Sequence, residues 1–174
     1  MSKAAPPAYF AYGSNMLSRR LLARVPAQVL GPAVLFQHEL RWHKVGSDAS
    51  GKCDVVPSRI VGQTVHGVLY RMAAEHKPLL DQIEGLGQGY DERQTVLQGP
   101  QGLVRAWYYS ATHIDAGLRP FDWYKAFVVD GAREHGLPAD YIAALHAMPH
   151  ETDPDPARAA LNWALSRPDA TLRA

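Results

Sequence analysis

Two short stretches of this chain carry residue types that could act as a pair. The first is YFAYGSNM, Tyr9 to Met16, where an apolar and aromatic run meets Gly-Ser-Asn and a helix-like segment follows. A strand turning sharply into a helix leaves the first helical N–H groups unpaired, so they can hold an anion or a developing oxyanion. Gly13 lets the backbone approach a ligand without interference from a Cβ. The plain structural alternative is that Ser14 and Asn15 only cap the helix. The second stretch is EGLGQGY, Glu84 to Tyr90, which puts an acid at the C-terminal end of a predicted helix. The helix dipole disfavours a carboxylate there, and partial burial beside Ile83 and Leu86 would disfavour its charged form further. A group that must take and return a proton near neutral pH needs such surroundings. Its structural alternative is a surface glutamate beside a glycine that ends the helix.

Other candidates carry less. Ser14 lacks the second glycine of a G-x-S-x-G elbow, and no His and acid partners are singled out. Cys53 lies between Lys52 and Asp54, and eight histidines name no partner for it, so it reads as a small strand residue. His146 and His150 are separated by Pro149, which disturbs helical spacing. His38 and His43 fall on opposite faces of a predicted strand. No zinc-type ligand set is expected. EGLGQGY lacks G-x-G-x-x-G spacing and follows a helix, so it is not a dinucleotide fingerprint.

These groups need elements to hold them. Tyr9–Tyr12 reads as a buried strand, and residues 16–24 as a helix capped by Asn15 with Leu17, Leu21 and Leu22 on one side. Residues 33–45 form one strand or two, followed by a loop through VGSDASGK and a short strand CDVVP ended by Pro57. Residues 63–72 alternate as a strand, with Val65, Gly67 and Leu69 against His66, Val68 and Tyr70. Residues 73–85 predict a helix with Leu79, Leu80 and Ile83 as its apolar stripe, Pro78 in its first turn and Gly85 at its end. YDERQTVLQG and LVRAWYYS are two strands joined by the hairpin signal GPQG, Gly99 to Gly102. Three helices follow: residues 120–136 with Phe121, Tyr124, Phe127 and Val128, then PADYIAALHAM, then a last one with Asp155 as N-cap and Pro156 at its first position. Strands first and helices last predict an α+β fold: a small, mostly antiparallel β-barrel with helices packed around it and concentrated in the C-terminal third.

The 174 residues fit one domain over 1–174, with residues 149–174 as a linker and C-terminal helix. A formal net charge of +1 gives no bias toward nucleic acid or an anionic membrane. The single cysteine excludes an intramolecular disulfide. No run approaches the ~20 apolar residues of a membrane span, and the first residues lack a secretory signal. A soluble, cytoplasmic protein is expected.

Taken together, YFAYGSNM, LLDQIEGLGQGY and WYKAFVVDGAREHGLPADYIAAL resemble the gamma-glutamylcyclotransferase family, over residues 9–148. The resemblance implies a small β-barrel and conversion of a γ-glutamyl amide into 5-oxoproline and a free amine. It implies Glu84 as the catalytic acid/base, Tyr12, Gly13, Ser14 and Asn15 as the loop holding the γ-glutamyl group, and Tyr90 and Tyr124 as pocket tyrosines. Neither cofactor nor metal is implied. The partner would be a small γ-glutamyl substrate, and relatives of this kind can be homodimers. The leaving amine stays open between a free amino acid, γ-glutamyl-lysine and a biosynthetic intermediate, with glutathione ranked lower. The alternative is a binding module of the same fold that recognises a γ-glutamyl-like ligand without turnover; retention of Glu84 and both tyrosines argues against it.

Overall fold

The apolar run before Gly13 forms strand β1 (Ala8–Ala11), buried along its whole length. The computed structural model describes residues 7–167 of the chain. After Gly13 the backbone makes a three-residue 3₁₀ turn, Ser14–Met16, and only then a short helix α1 (Ser18–Leu22). The continuous helix expected over 16–24 is therefore broken at its start. Leu17 is extended, with φ −70° and ψ 110°. Asn15 is not a cap either, because its side chain is used elsewhere.

The stretch expected as one strand or two is two. Strand β2 (Gln28–Phe36) and strand β3 (His38–Val45) are divided at Gln37, which adopts φ +57°. Strand β3 pairs outside the barrel with β4 (Gly51–Pro57) as a two-stranded ribbon. The loop between them is tied by Asp48, which accepts from the Ser50 N–H at 3.0 Å and from Lys52 Nζ at 2.7 Å.

Strand β5 (Thr64–Arg71) keeps the expected alternation only at its start. Gly67 to Tyr70 are buried in succession, because the chain around Met16 and Ser18 covers its outer face. Helix α2 (Lys77–Glu84) begins with Pro78 in its first turn and ends at Gly85, φ +76°, a conformation suited to glycine. Its expected stripe is a correction. Leu80 is buried, but Leu79 and Ile83 are 47% and 42% exposed. Polar anchors hold it instead. Lys77 Nζ bridges Asp81 and Glu92 at 2.7 Å each, and the Tyr109 hydroxyl donates to Asp81 at 2.7 Å.

Strands β6 (Tyr90–Gly99) and β7 (Gly102–Ala111) form the expected hairpin, with Pro100 and Gln101 at its tip. The barrel closes in the order β1, β5, β2, β6, β7. Its seams are antiparallel except the last, where β1 runs parallel to β7 with Tyr9 opposite Trp107. Helices α3 (Asp122–Glu134), α4 (Ala139–Ala147) and α5 (Pro156–Ser166) follow. Asp155 caps α5 by accepting from the Ala157 and Arg158 N–H groups. Helix α3 buries Phe127 and Val128 and meets the Ser14–Met16 turn at backbone contact. A Cβ at Gly131 would lie 2.6 Å from the Met16 carbonyl carbon, so glycine is what allows that approach. No helix among the described residues is long and apolar enough to cross a membrane.

Candidate active site

The turn after β1, the end of α2, the start of β6, strand β4 and the first turn of α3 converge on one cavity. It measures about 30 Å³ and is lined by Tyr9, Tyr12, Gly13, Ser14, Asn15, Cys53, Glu84, Tyr90, Tyr109 and Tyr124. The seven residues singled out in the sequence all lie on this wall. Tyr9, Tyr109 and Cys53 were not anticipated.

The Glu84 carboxylate is held through one oxygen. Oε1 accepts from Arg24 Nη1 at 2.6 Å and from Asn15 Nδ2 at 2.9 Å. Oε2 has no hydrogen-bond partner among the described residues. The apolar setting expected for Glu84 is not what is found: Leu86 and Ile83 are both exposed, and the neighbours that matter are Arg24 and Asn15. Asn15 is 4% exposed and ties three groups together. It donates to Glu84, donates to the Tyr9 hydroxyl at 3.0 Å, and accepts from Arg24 Nη1 at 3.1 Å. Ser14 is fixed by Arg20, whose Nε donates to its hydroxyl at 3.0 Å. Ser14 therefore has a cationic neighbour and no adjacent base, which is not how a serine nucleophile is activated.

The hydroxyl hydrogens can be assigned from their partners. Tyr12 donates to the Tyr109 carbonyl, Tyr109 to Asp81, and Tyr90 to the Cys53 carbonyl at 2.7 Å. Tyr124 accepts from the Cys53 N–H at 3.0 Å, and Tyr9 accepts from Asn15. The Tyr9 hydrogen is thus left without an acceptor among the described residues, whereas the Tyr124 hydroxyl also faces the Cys53 sulfur as a donor. Burial raises the pKa of both phenols, and the charge of Glu84 raises that of Tyr9 further, so both are neutral. The Ser14 and Asn15 N–H groups also have no acceptor among the described residues. Cys53 places Tyr90 and Tyr124 through its backbone. The residue is 1% exposed, and burial pushes its thiol pKa up to about 12.

The profile of the AIG2-like family matches residues 64–145. The gamma-glutamylcyclotransferase of Mus musculus is 30% identical over 156 residues, 80% of this chain and 77% of the mouse protein. The chain belongs to the gamma-glutamylcyclotransferase family. The gamma-glutamylcyclotransferase of Bos taurus is 27% identical over 154 residues, with the same two coverages of 80% and 77%. A solved gamma-glutamyl cyclotransferase superposes with a TM-score of 0.80 at 25% identity, covering 90% of this chain and 98% of that one. Within this gamma-glutamylcyclotransferase fold, Arg20 and Arg24 had no signal as site residues in a linear reading, since a helix-borne arginine is ordinarily a solvated side chain. Tyr9 carried one faint signal: it stands in the same aromatic run as Tyr12.

Proposed function

We propose that this protein cyclises a γ-glutamyl amide to 5-oxoproline and releases the amine, with Glu84 moving the proton. The observation that carries the reading is the Glu84 carboxylate, anchored through Oε1 and free at Oε2, in one cavity with the Gly13–Asn15 turn. In this reading Glu84 Oε2 accepts a proton from the substrate's α-nitrogen, and that nitrogen attacks the γ-carbonyl carbon. The carbonyl electron pair moves to oxygen, to which the Ser14 and Asn15 N–H groups would donate. The oxyanion collapses, the bond to the leaving nitrogen breaks, and Glu84 returns its proton to that nitrogen. Nucleophile and electrophile belong to one molecule, so a cavity that folds the glutamyl chain gains the entropic advantage of an intramolecular reaction.

The test is to incubate the purified protein with several γ-glutamyl-amino acids and γ-glutamyl-lysine and follow 5-oxoproline by mass spectrometry. Turnover of at least one is expected. Binding without turnover of any would favour a recognition module.

Two further outcomes follow from the walls of the cavity. A Cβ at Gly13 would sit 3.0 Å from Cys53 Cβ and 3.3 Å from the Tyr124 hydroxyl. Gly13→Ala should therefore displace Tyr124 and lower kcat by roughly 10- to 100-fold, since small misplacements of a positioned group are costly. Steady-state kinetics on folded protein decides it; a wild-type kcat would mean the close approach is not needed. Cys53 holds Tyr90 and Tyr124 mainly through its backbone, with a weak thiol contact to Tyr124 besides, so Cys53→Ala should keep kcat/KM within about 3-fold, well under the ~10²–10⁴ typical of a general acid–base group. Iodoacetamide at pH 8 should leave the native thiol unlabelled, because attack requires exposed thiolate. Fast alkylation with loss of activity would contradict that role.

A further inference from the structure

The cavity beside Glu84 adjoins a second cleft. Ser14, Glu84, Tyr90 and Tyr124 line both, and the cleft measures about 200 Å³. The cleft walls carry four cations, Arg20, Arg24, Lys44 and Lys52, against two carboxylates, Asp48 and Glu84. The wall is therefore positive in excess, although the chain as a whole is nearly neutral. Such a concave, single-sign surface concentrates ligands of opposite charge.

Three of those cations already have work. Lys52 donates to Asp48 and to the Ser50 hydroxyl at 2.7 Å each. Arg24 holds Glu84 and Asn15. Arg20 holds Ser14 and stacks its guanidinium 4.3 Å from the centre of the Phe127 ring. Lys44 differs. Its Nζ lies 4.7 Å over the Tyr90 ring and, among the described residues, makes neither an ion pair nor a hydrogen bond. Its position is nonetheless fixed. Its backbone pairs with Lys52 across the β3–β4 ribbon and with Ile114 on the other side. Gly89 leaves the space that the ammonium occupies, since a Cβ there would stand 3.3 Å from Nζ. Lys44 is half-buried, so its charge is partly stripped of water; Glu84 and Asp48 stand near enough to favour that charge, but neither bonds to it.

We infer that Lys44 binds a carboxylate carried by the leaving amine and thereby makes this enzyme prefer anionic leaving amines over neutral ones. The inference rests on the cyclisation proposed above. The side of the bond follows from the geometry. The unused N–H groups of the turn belong to residues that line the smaller cavity together with Glu84 and Tyr9, where the cyclisation reading puts the glutamyl group. Lys44 lines only the adjoining cleft, so it lies beyond that group, on the side left for the leaving amine. A charge-assisted hydrogen bond contributes about 1.5–3 kcal/mol, which corresponds to roughly 10- to 100-fold in selectivity.

The experiment uses γ-glutamyl-alanine and γ-glutamyl-alaninamide, which match in shape and differ in the charge at one end. Wild type, Lys44→Met and Lys44→Arg are compared by kcat/KM at fixed ionic strength. Wild type should prefer the acid by roughly 10- to 100-fold. Lys44→Met should bring the ratio close to one by losing the acid while sparing the amide, and Lys44→Arg should retain most of the preference. Equal losses on both substrates would overturn the inference, because Lys44 would then serve the glutamyl half or merely support Tyr90. An unchanged ratio would overturn it as well. If neither compound turned over, the cyclisation reading would fail separately. Calorimetric titration of the same two compounds would then read the same ratio from Kd, and a wild-type ratio near one would reject the role of Lys44.

Discussion

Glu84→Gln should lower kcat by about 10²–10⁴, the range typical of a lost general acid–base group, while the protein stays folded. Glutamine keeps an oxygen where Arg24 and Asn15 donate to Oε1. It puts an amide where the free Oε2 stands, and an amide cannot take a proton from the attacking nitrogen. The side chain is small, partly exposed and not part of the apolar core, so Tm should stay within about 4 °C of wild type. Wild-type turnover by the variant would remove Glu84 from the mechanism, whatever family the chain belongs to.

The next largest effect is expected at Asn15. Asn15→Asp changes the side chain almost isosterically but replaces the amide that donates to Glu84 and Tyr9 with an acceptor. The two carboxylates would then face each other at about hydrogen-bond distance and compete for Arg24. Two such groups cannot both ionise at close range, so one proton is held between them. The expected result is a kcat lower by about 10², because the base now shares its proton and its Arg24 anchor with a second carboxylate. Asn15→Gln, which keeps the amide, should lose less than Asn15→Asp. A wild-type kcat in Asn15→Asp would mean that Asn15 only supports the turn.

Much of the frame could be read from local chemistry. Pro78 and Gly85 bracket α2 in the chain as in the fold, Gly99 to Gly102 turns the hairpin, and Asp155 with Pro156 starts α5. Those signals act within a few residues of themselves. The misreadings arose where a distant group outbid a local preference. Asn15 has the side chain of a helix cap, yet a carboxylate and a phenol brought to it by folding are better partners than its own backbone. Leu79 and Ile83 have helical apolar spacing, yet Lys77, Asp81, Glu92 and Tyr109 set which face of α2 turns inward. The same applies to the cavity wall. Glu84 and the Gly-Ser-Asn turn were visible as unusual strings, whereas Arg20, Arg24, Tyr109 and Lys44 became part of it only through tertiary contact.

The parallel seam between β1 and β7 has a consequence for how the protein is made. Strand β1 has to wait for β7 before the barrel can close, since Tyr9 pairs beside Trp107. The turn that follows it waits longer still: the Ser18 N–H donates to Glu134, 116 residues further on, and Gly131 supplies the surface on which Met16 rests. Pairings of such sequence separation form slowly and leave an unpaired strand edge exposed in the meantime. On the ribosome, therefore, the Gly-Ser-Asn turn emerges well before the segments that give it its shape. A nascent chain stopped before α3 is complete would carry the Gly-Ser-Asn string without a cavity around it.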